Sequence, residues 1–324
     1  MGSTSSCTPV IDLQNFPSQS DELIHACEQW GCFRIVNHPI PATLMSEMKS
    51  VVRSLLDLPP EIKRRNIDVI AGSGYVAPTK INPLYEGLGL YDVGSTEAVL
   101  EFCSQLDVSP PQRSSLSLSL SLSLSQVLPY IPHLLDTILR YSQAVHDLAM
   151  ELGSKIAESM GLGKDLFKGW PCQFRLNKYG FTPESVGSSG VQIHTDSGFL
   201  TILQDDENVG GLEVMDKKSG EFVLVDPLPG ALLVNLGDIA TVWSNGRFYN
   251  VKHRVQCKEA RTRLSIALFM LGPKEAAVEA PPQLVDTEHP RLYDPIVFEE
   301  YRKLRLSTGM RAGEALSLLS PSKH

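Results

Sequence analysis

The run Gly190-Val191-Gln192-Ile193-His194-Thr195-Asp196 puts an imidazole and a carboxylate two residues apart in an extended segment that alternates apolar and polar positions. Side chains at i and i+2 of a strand point to one face, so His194 and Asp196 can reach a single point in space. A second strand-like run, Val251-Lys252-His253-Arg254-Val255, offers another imidazole. Two imidazoles and one carboxylate on one side of a metal form a facial triad suited to ferrous iron, with the opposite positions open for exchange. Further on, Arg263 and Ser265 again share a strand face. A guanidinium fork beside a hydroxyl is a receptor for a carboxylate. A lone His-x-Asp arises often by chance, and an Arg-x-Ser in a strand is ordinarily surface. It is their combination, in order, that points to a metal centre with a carboxylate co-ligand.

Around these residues the wording resembles a known family. Trp170 to Tyr179, His194 to Gln204, Asn235-Leu236-Gly237-Asp238, and the His253 and Arg263-x-Ser265 blocks look like the plant 2-oxoglutarate- and Fe(II)-dependent dioxygenases. Within that family, His194 to Glu207, Gly72-Ser73-Gly74-Tyr75 and Asn250 to Cys257 are most similar to the auxin-oxidising (DAO) branch. The resemblance covers nearly the whole chain. It implies that His194, Asp196 and His253 hold Fe(II), and that 2-oxoglutarate takes two further positions through its keto oxygen and adjacent carboxylate. The distal carboxylate then pairs with Arg263 and accepts hydrogen bonds from Ser265 and Tyr179. Asn177, on the strand face of Tyr179, holds the iron-side carboxylate. The last position is for O₂, and ascorbate keeps the iron reduced. The reaction implied is oxidation of indole-3-acetic acid at C2 to 2-oxindole-3-acetic acid, with release of succinate and CO₂.

Three other readings keep part of this pattern. A related 2-oxoglutarate dioxygenase acting on another small plant metabolite, a hormone acid or a flavonoid, would share every motif. A zinc hydrolase could use His-Asp-His but has no use for Arg263-x-Ser265. A non-catalytic small-molecule sensor would keep the fold without turnover. The substrate pocket itself is barely legible. Tyr75, in a Gly-rich stretch read as a mobile flap, is a candidate wall. Arg175 shares the face of Asn177 and Tyr179. Phe199, Trp243 and Phe269 are aromatics that belong more naturally to a core.

These residues need a scaffold, and the composition allows one. The 324 residues are 42% hydrophobic and 20% charged, enough for an ample core. A net charge of −8 and the lack of a basic run argue against a nucleic-acid partner. No apolar stretch reaches the ~18 residues of a membrane span. The partner that the resemblance implies is a small-molecule substrate. The six cysteines are scattered, and cytoplasmic localisation is expected. Gly2, within Met1-Gly2-Ser3-Thr4-Ser5-Ser6, fits an N-myristoylation pattern with Cys7 nearby, although a plain Ser/Thr leader also accounts for it.

The chain divides into an N-terminal α/β region (8–110), a low-complexity Ser/Leu insert (111–136), a buttressing helix (137–168), the dioxygenase core (169–275) and a C-terminal helical segment (276–324). Residues 9–38 read as strand, helix, strand, with Ser18 and Asp21 as a capping box. The unbroken Ser-Leu alternation from Ser115 to Ser125 matches a translated thymine-cytosine repeat better than a selected element. Ile138 to Met160 holds helical spacing. From 172 onward come eight short strands: 172–179, 191–194, 199–204, 211–215, 221–226, 231–236, 249–256 and 263–270. Tight turns separate them. This predicts a mainly β, α+β protein, a double-stranded β-helix of the jelly-roll or cupin type, with helices packed outside and the metal in its mouth. Asp205-Asp206-Glu207, at a hairpin tip, reads as a solvated turn.

Overall fold

A computed structural model describes residues 8–108 and 130–320. The Ser/Leu alternation, Gly2 and Cys7 lie outside the described residues.

Strand alternation builds the molecule. The longest strands, β4 (Cys172–Gly180) and β11 (Thr262–Met270), pair antiparallel in the middle of the main sheet. Along β11, Leu264, Ile266, Leu268 and Met270 point one way into the main core, whereas Arg263, Ser265, Ala267 and Phe269 point the other way into a cavity. Burying each of those four apolar side chains contributes roughly 1.5–3 kcal/mol. A one-residue slip would put the arginine into that core. β6 (Leu200–Gln204) and β9 (Leu232–Leu236) alternate in the same sense.

The main sheet has seven strands in the order β1-β2-β9-β6-β11-β4-β3, with β1 at Val10–Asp12, β2 at Cys32–Val36 and β3 at Tyr85–Tyr91. Among the described residues only β1 and β2 pair in parallel. A smaller sheet runs β5-β10-β7-β8, with β5 at Ser189–His194, β7 at Leu212–Met215, β8 at Phe222–Leu224 and β10 at His253–Gln256. Its Leu212, Val214 and Val255 pack with Tyr179, Leu203, Leu233 and Ala267 of the main sheet into a second core. The two facing sheets are the jelly-roll expected from the sequence.

Helices cover the other face. α1 (Ser20–Gln29) and α2 (Ala42–Leu56) pack on a long helix whose buried stripe includes Ile138, Tyr141, Val145, Leu148, Leu152 and Ile156. Two short helices, α3 (Pro60–Lys63) and α4 (Thr96–Gln105), precede it. That long helix, α5 (Tyr130–Ser159), begins inside the segment read as low-complexity insert, and Leu134 there is already buried. The chain therefore enters the helix sooner than the apolar period alone indicated. Tyr141 fastens it by donating to Gln204 Oε1 (2.7 Å). The Ser18 capping box does not form: α1 starts at Ser20, and Gln19 precedes it without a side-chain cap. Gly31, at φ 65°, follows the end of α1; a Cβ there would lie 2.1 Å from Tyr249 O.

β3 and α4 follow the Gly-rich stretch around Tyr75. The Gly72–Tyr75 stretch is not a free flap. Asp68 accepts from the Gly72 and Gly74 amides (2.8 and 2.6 Å), and buried Ser73 Oγ accepts from Val69 and Ile70. Gly89 lets β3 lie against this loop, since a Cβ would fall 1.6 Å from Ser73 O. The chain closes with β12 (Ala277–Val278), β13 (Ile296–Val297), helix α7 (Phe298–Thr308) and a 3₁₀ turn at Glu314–Leu319. Between β9 and β10 lies a short helix, α6 (Asp238–Trp243).

Candidate active site

His194 ends β5 and His253 begins β10; these strands pair antiparallel, with the two histidines opposite each other. Their ring centroids are 4.2 Å apart. Asp196 lies just beyond β5, and its Oδ1 is 3.8 Å from His194 Nε2 and 3.6 Å from His253 Nε2. One ligand atom from each of the three lies within 4.8 Å of the others.

Neighbours set the orientation of each group. His194 Nδ1 contacts Gln192 O (2.8 Å) and His253 Nδ1 contacts Val251 O (3.1 Å). A carbonyl oxygen only accepts, so each Nδ1 carries the proton and each Nε2 lone pair faces Asp196. Thr201 donates to the other carboxylate oxygen, Oδ2, at 2.5 Å. Burial, then the adjacent His253, pushes the His194 imidazole below its ordinary range, which favours the neutral ligand form. Nitrogen and oxygen donors converging in this way fit a ferrous ion.

Deeper in the same cavity, three strands carry the groups in rungs. Tyr85, Tyr179 and Arg263 lie side by side across β3, β4 and β11; Gly87, Asn177 and Ser265 form the next rung. Tyr85 donates to Asn177 Oδ1 (2.9 Å), which turns Asn177 Nδ2 toward Ser265 Oγ (3.2 Å). Burial keeps the Tyr179 phenol protonated. Arg263 is 1% exposed, and Nη2 bonds Asp205. Nε and Nη1, although buried, have no hydrogen-bond partner among the described residues. Unmade bonds on a buried guanidinium are costly. They fit an incoming carboxylate, the group by which 2-oxoglutarate would be held.

The Asp205-Asp206-Glu207 turn is therefore not simply solvated. Asp205 pairs with Arg263, and Asp206, 4% exposed, accepts from Leu264 N (3.0 Å) and pairs with Lys49 (3.2 Å). Only Glu207 of the three is exposed. Backbone donors along β11 and the Arg263 charge draw both aspartates inward, a tertiary effect with no local trace.

The cavity has a volume of about 670 Å³ and includes His194, Asp196, His253, Asn177, Tyr179, Arg263 and Ser265 in its lining. Tyr75, the candidate wall, is absent from that lining; its hydroxyl donates to Glu86 (2.9 Å). Phe199 and Trp243 stack with Phe167 in the core, whereas Phe269 lines the cavity. Val76, Val191, Leu203 and Leu212 add apolar wall.

Arg175 shares the inward face of β4, about 13 Å along the strand from Tyr179. Arg302 of α7 meets it there: both guanidinia donate to Gly72 O. Burial, then Arg175, lowers Arg302 to about 10. Arg263 thus stands toward one end of the β4–β11 face and the Arg175–Arg302 pair toward the other, with the ligand triad part of the same lining. Arg302, Thr201, Tyr85 and Arg305 were missed in the sequence. Among them only Arg302 and Arg305 carried a hint, a shared helix face at i, i+3.

Comparison with known proteins agrees with this geometry. Residues 170–272 match the model of the 2OG-Fe(II) oxygenase superfamily, and residues 8–117 that of the N-terminal region of a non-haem dioxygenase in morphine synthesis. The chain is 50% identical over 317 residues to the 2-oxoglutarate-dependent dioxygenase DAO of rice (Oryza sativa subsp. indica), covering 96% of this chain and 98% of that one. It is similar to the crystal structure of the rice dioxygenase for auxin oxidation, with a TM-score of 0.84 and 49% identity, covering 97% of this chain and all of the other. It is also similar to the Arabidopsis thaliana dioxygenase for auxin oxidation in complex with 2-oxoglutarate, with a TM-score of 0.78 and 52% identity, covering 88% and 100%.

Proposed function

The chain belongs to the 2OG-Fe(II) oxygenase superfamily, as an Fe(II)- and 2-oxoglutarate-dependent dioxygenase, and on that premise we propose that it oxidises indole-3-acetic acid to 2-oxindole-3-acetic acid. In this reading His194, Asp196 and His253 hold the iron. When bound, the iron supplies O₂ activation: one oxygen atom goes to succinate as CO₂ leaves 2-oxoglutarate, and the other goes to C2 of the indole.

The chain's own residues bind, orient and exclude water. Arg263 Nε and Nη1 grip the distal carboxylate of 2-oxoglutarate, and the hydroxyls of Tyr179 and Ser265 complete that end. Asn177, its amide set by Tyr85, donates toward the iron-side carboxylate. Phe269, Leu203, Leu212 and Val191 keep the site dry, so that oxidation is directed at the bound substrate.

The single observation that carries a carboxylic-acid substrate is the pair Arg175 and Arg302 meeting at Gly72 O, well away from Arg263. Two neighbouring cations in a largely apolar cavity attract an anion. The cavity has room for an indole ring against the apolar walls with its acetate at this pair. A neutral flavonoid would bring no charge to the pair. Iron-loaded enzyme supplied with 2-oxoglutarate, O₂ and ascorbate should form succinate with indole-3-acetic acid and little with indole-3-acetamide. Equal turnover of the neutral amide would refute the carboxylate reading.

No helix among the described residues is long and apolar enough to cross a membrane. For localisation we keep the cytoplasm as the proposal.

A further inference from the structure

We propose that Arg305, on the C-terminal helix α7, is a positioning residue that holds the metal ligands in place by clasping the Thr195 peptide between them. β5 is the edge strand of the smaller sheet and ends at His194, so its own ladder does not carry Thr195 and Asp196. Three donor groups aimed at one point repel each other until an ion arrives, and the backbone beneath them has to be fixed from outside.

The fixing comes from the far end of the chain. Thr195, 1% exposed, donates its N–H to Arg311 O (2.9 Å), and its carbonyl accepts from Arg305 Nη2 (2.7 Å). The same Nη2 also donates to Arg311 O (2.6 Å), closing a ring around the Thr195 residue. Arg305 Nη1 is held by Asp238 Oδ2 at 2.8 Å, an ion pair with 9% and 0% side-chain exposure. Asp238 is held in turn by Tyr301 OH and Asn250 Nδ2 (both 2.7 Å). Its own N–H donates to Asp196 O (2.8 Å). The backbone of both Thr195 and Asp196 is thus tied to one buried network. Gly313, at φ 87°, turns the chain beside it; a Cβ there would lie 2.9 Å from Asn250 Nδ2.

A lysine in place of Arg305 keeps the charge but has no fork to span Asp238, Thr195 and Arg311 together. The inference rests on His194, Asp196 and His253 being the ligands, so Co(II) titration of the wild-type protein, read by its visible absorption, comes first. Failure of the wild type to bind would overturn that assignment and this inference with it. With binding established, Arg305→Lys should weaken Co(II) affinity by about tenfold or more. At saturating Co(II), 2-oxoglutarate affinity should stay within about twofold. Gly313→Ala, which displaces the same turn without touching Arg305, should also weaken Co(II) binding and serves where Arg305→Lys fails to fold. Variants that lose thermal stability equally with and without Co(II), at unchanged Co(II) affinity, would show a merely structural role and overturn the proposal.

Discussion

Arg263 lies directly across the β-ladder from Tyr179, with its guanidinium carbon 4.8 Å from the phenol ring centroid. The ring covers one face of the cation, Asp205 takes one edge, and Nε and Nη1 have no hydrogen-bond partner among the described residues. That arrangement is a receptor with its counter-charge built in.

Replacing Arg263 with Lys should raise the Kd for 2-oxoglutarate by at least tenfold, because charge-assisted hydrogen bonds contribute about 1.5–3 kcal/mol and the fork would be lost. Tyr179→Phe should cost less, about threefold to tenfold, as one neutral hydrogen bond. Anaerobic titration with Fe(II) present measures both. Equal losses in the two variants would argue against Arg263 as the main anchor.

Asp205→Asn should destabilise the protein in a cosubstrate-dependent way. Without 2-oxoglutarate the buried Arg263 loses its counter-charge, at a cost of about 3 kcal/mol. With it, the bound carboxylate replaces that charge. Thermal unfolding should therefore show a larger 2-oxoglutarate shift in Asp205→Asn than in wild type. An equal shift would mean that Asp205 does not compensate Arg263.

Asp206 makes a pH prediction. Burial raises its pKa, but the Leu264 and Asn208 amides and Lys49 outweigh that and hold it below the usual carboxylate value. A depressed folded pKa contributes stability above the unfolded value near ~4, and that contribution is lost as pH falls through the folded value. At pH 7 Asp206→Asn should be about 2 kcal/mol less stable than wild type in urea, with the gap narrowing below about pH 4. A gap unchanged down to about pH 3 would contradict this.

Arg302→Met should raise KM for indole-3-acetic acid by about tenfold or more while leaving that for 2-oxoglutarate nearly unchanged, since Arg302 stands at the other end of the cavity. Activity toward indole-3-acetamide should not fall with it. A parallel loss for acid and amide would mark Arg302 as a support for the Gly72 loop alone.

How much of this was legible in the sequence depended on whether a feature was local. The shared face of Arg263 and Ser265 follows from their i, i+2 spacing in β11, and the jelly-roll follows from short alternating strands. The i, i+2 spacing of His194 and Asp196 names the right pair but not the reason, since Asp196 lies beyond β5 and is held from outside the ladder. β3 was hidden because Gly87 and Gly89 break its apolar pattern, although Gly89 is there to clear Ser73 O. Asp205 and Asp206 looked like an ordinary turn because the cation and amides that draw them inward belong to β11, far along the chain. Arg302 and Arg305 sit on a polar helix whose function depends on docking over the barrel mouth, and no local period reports docking.

The most direct measurement is anaerobic absorption spectroscopy of Fe(II)-loaded enzyme with 2-oxoglutarate, followed by indole-3-acetic acid and air. The wild type should develop a visible charge-transfer band on adding 2-oxoglutarate, then lose it in air with matched formation of succinate and 2-oxindole-3-acetic acid; Asp196→Ala should show neither. A band that survives in Asp196→Ala, or wild-type protein that forms no band and no succinate, would contradict the account.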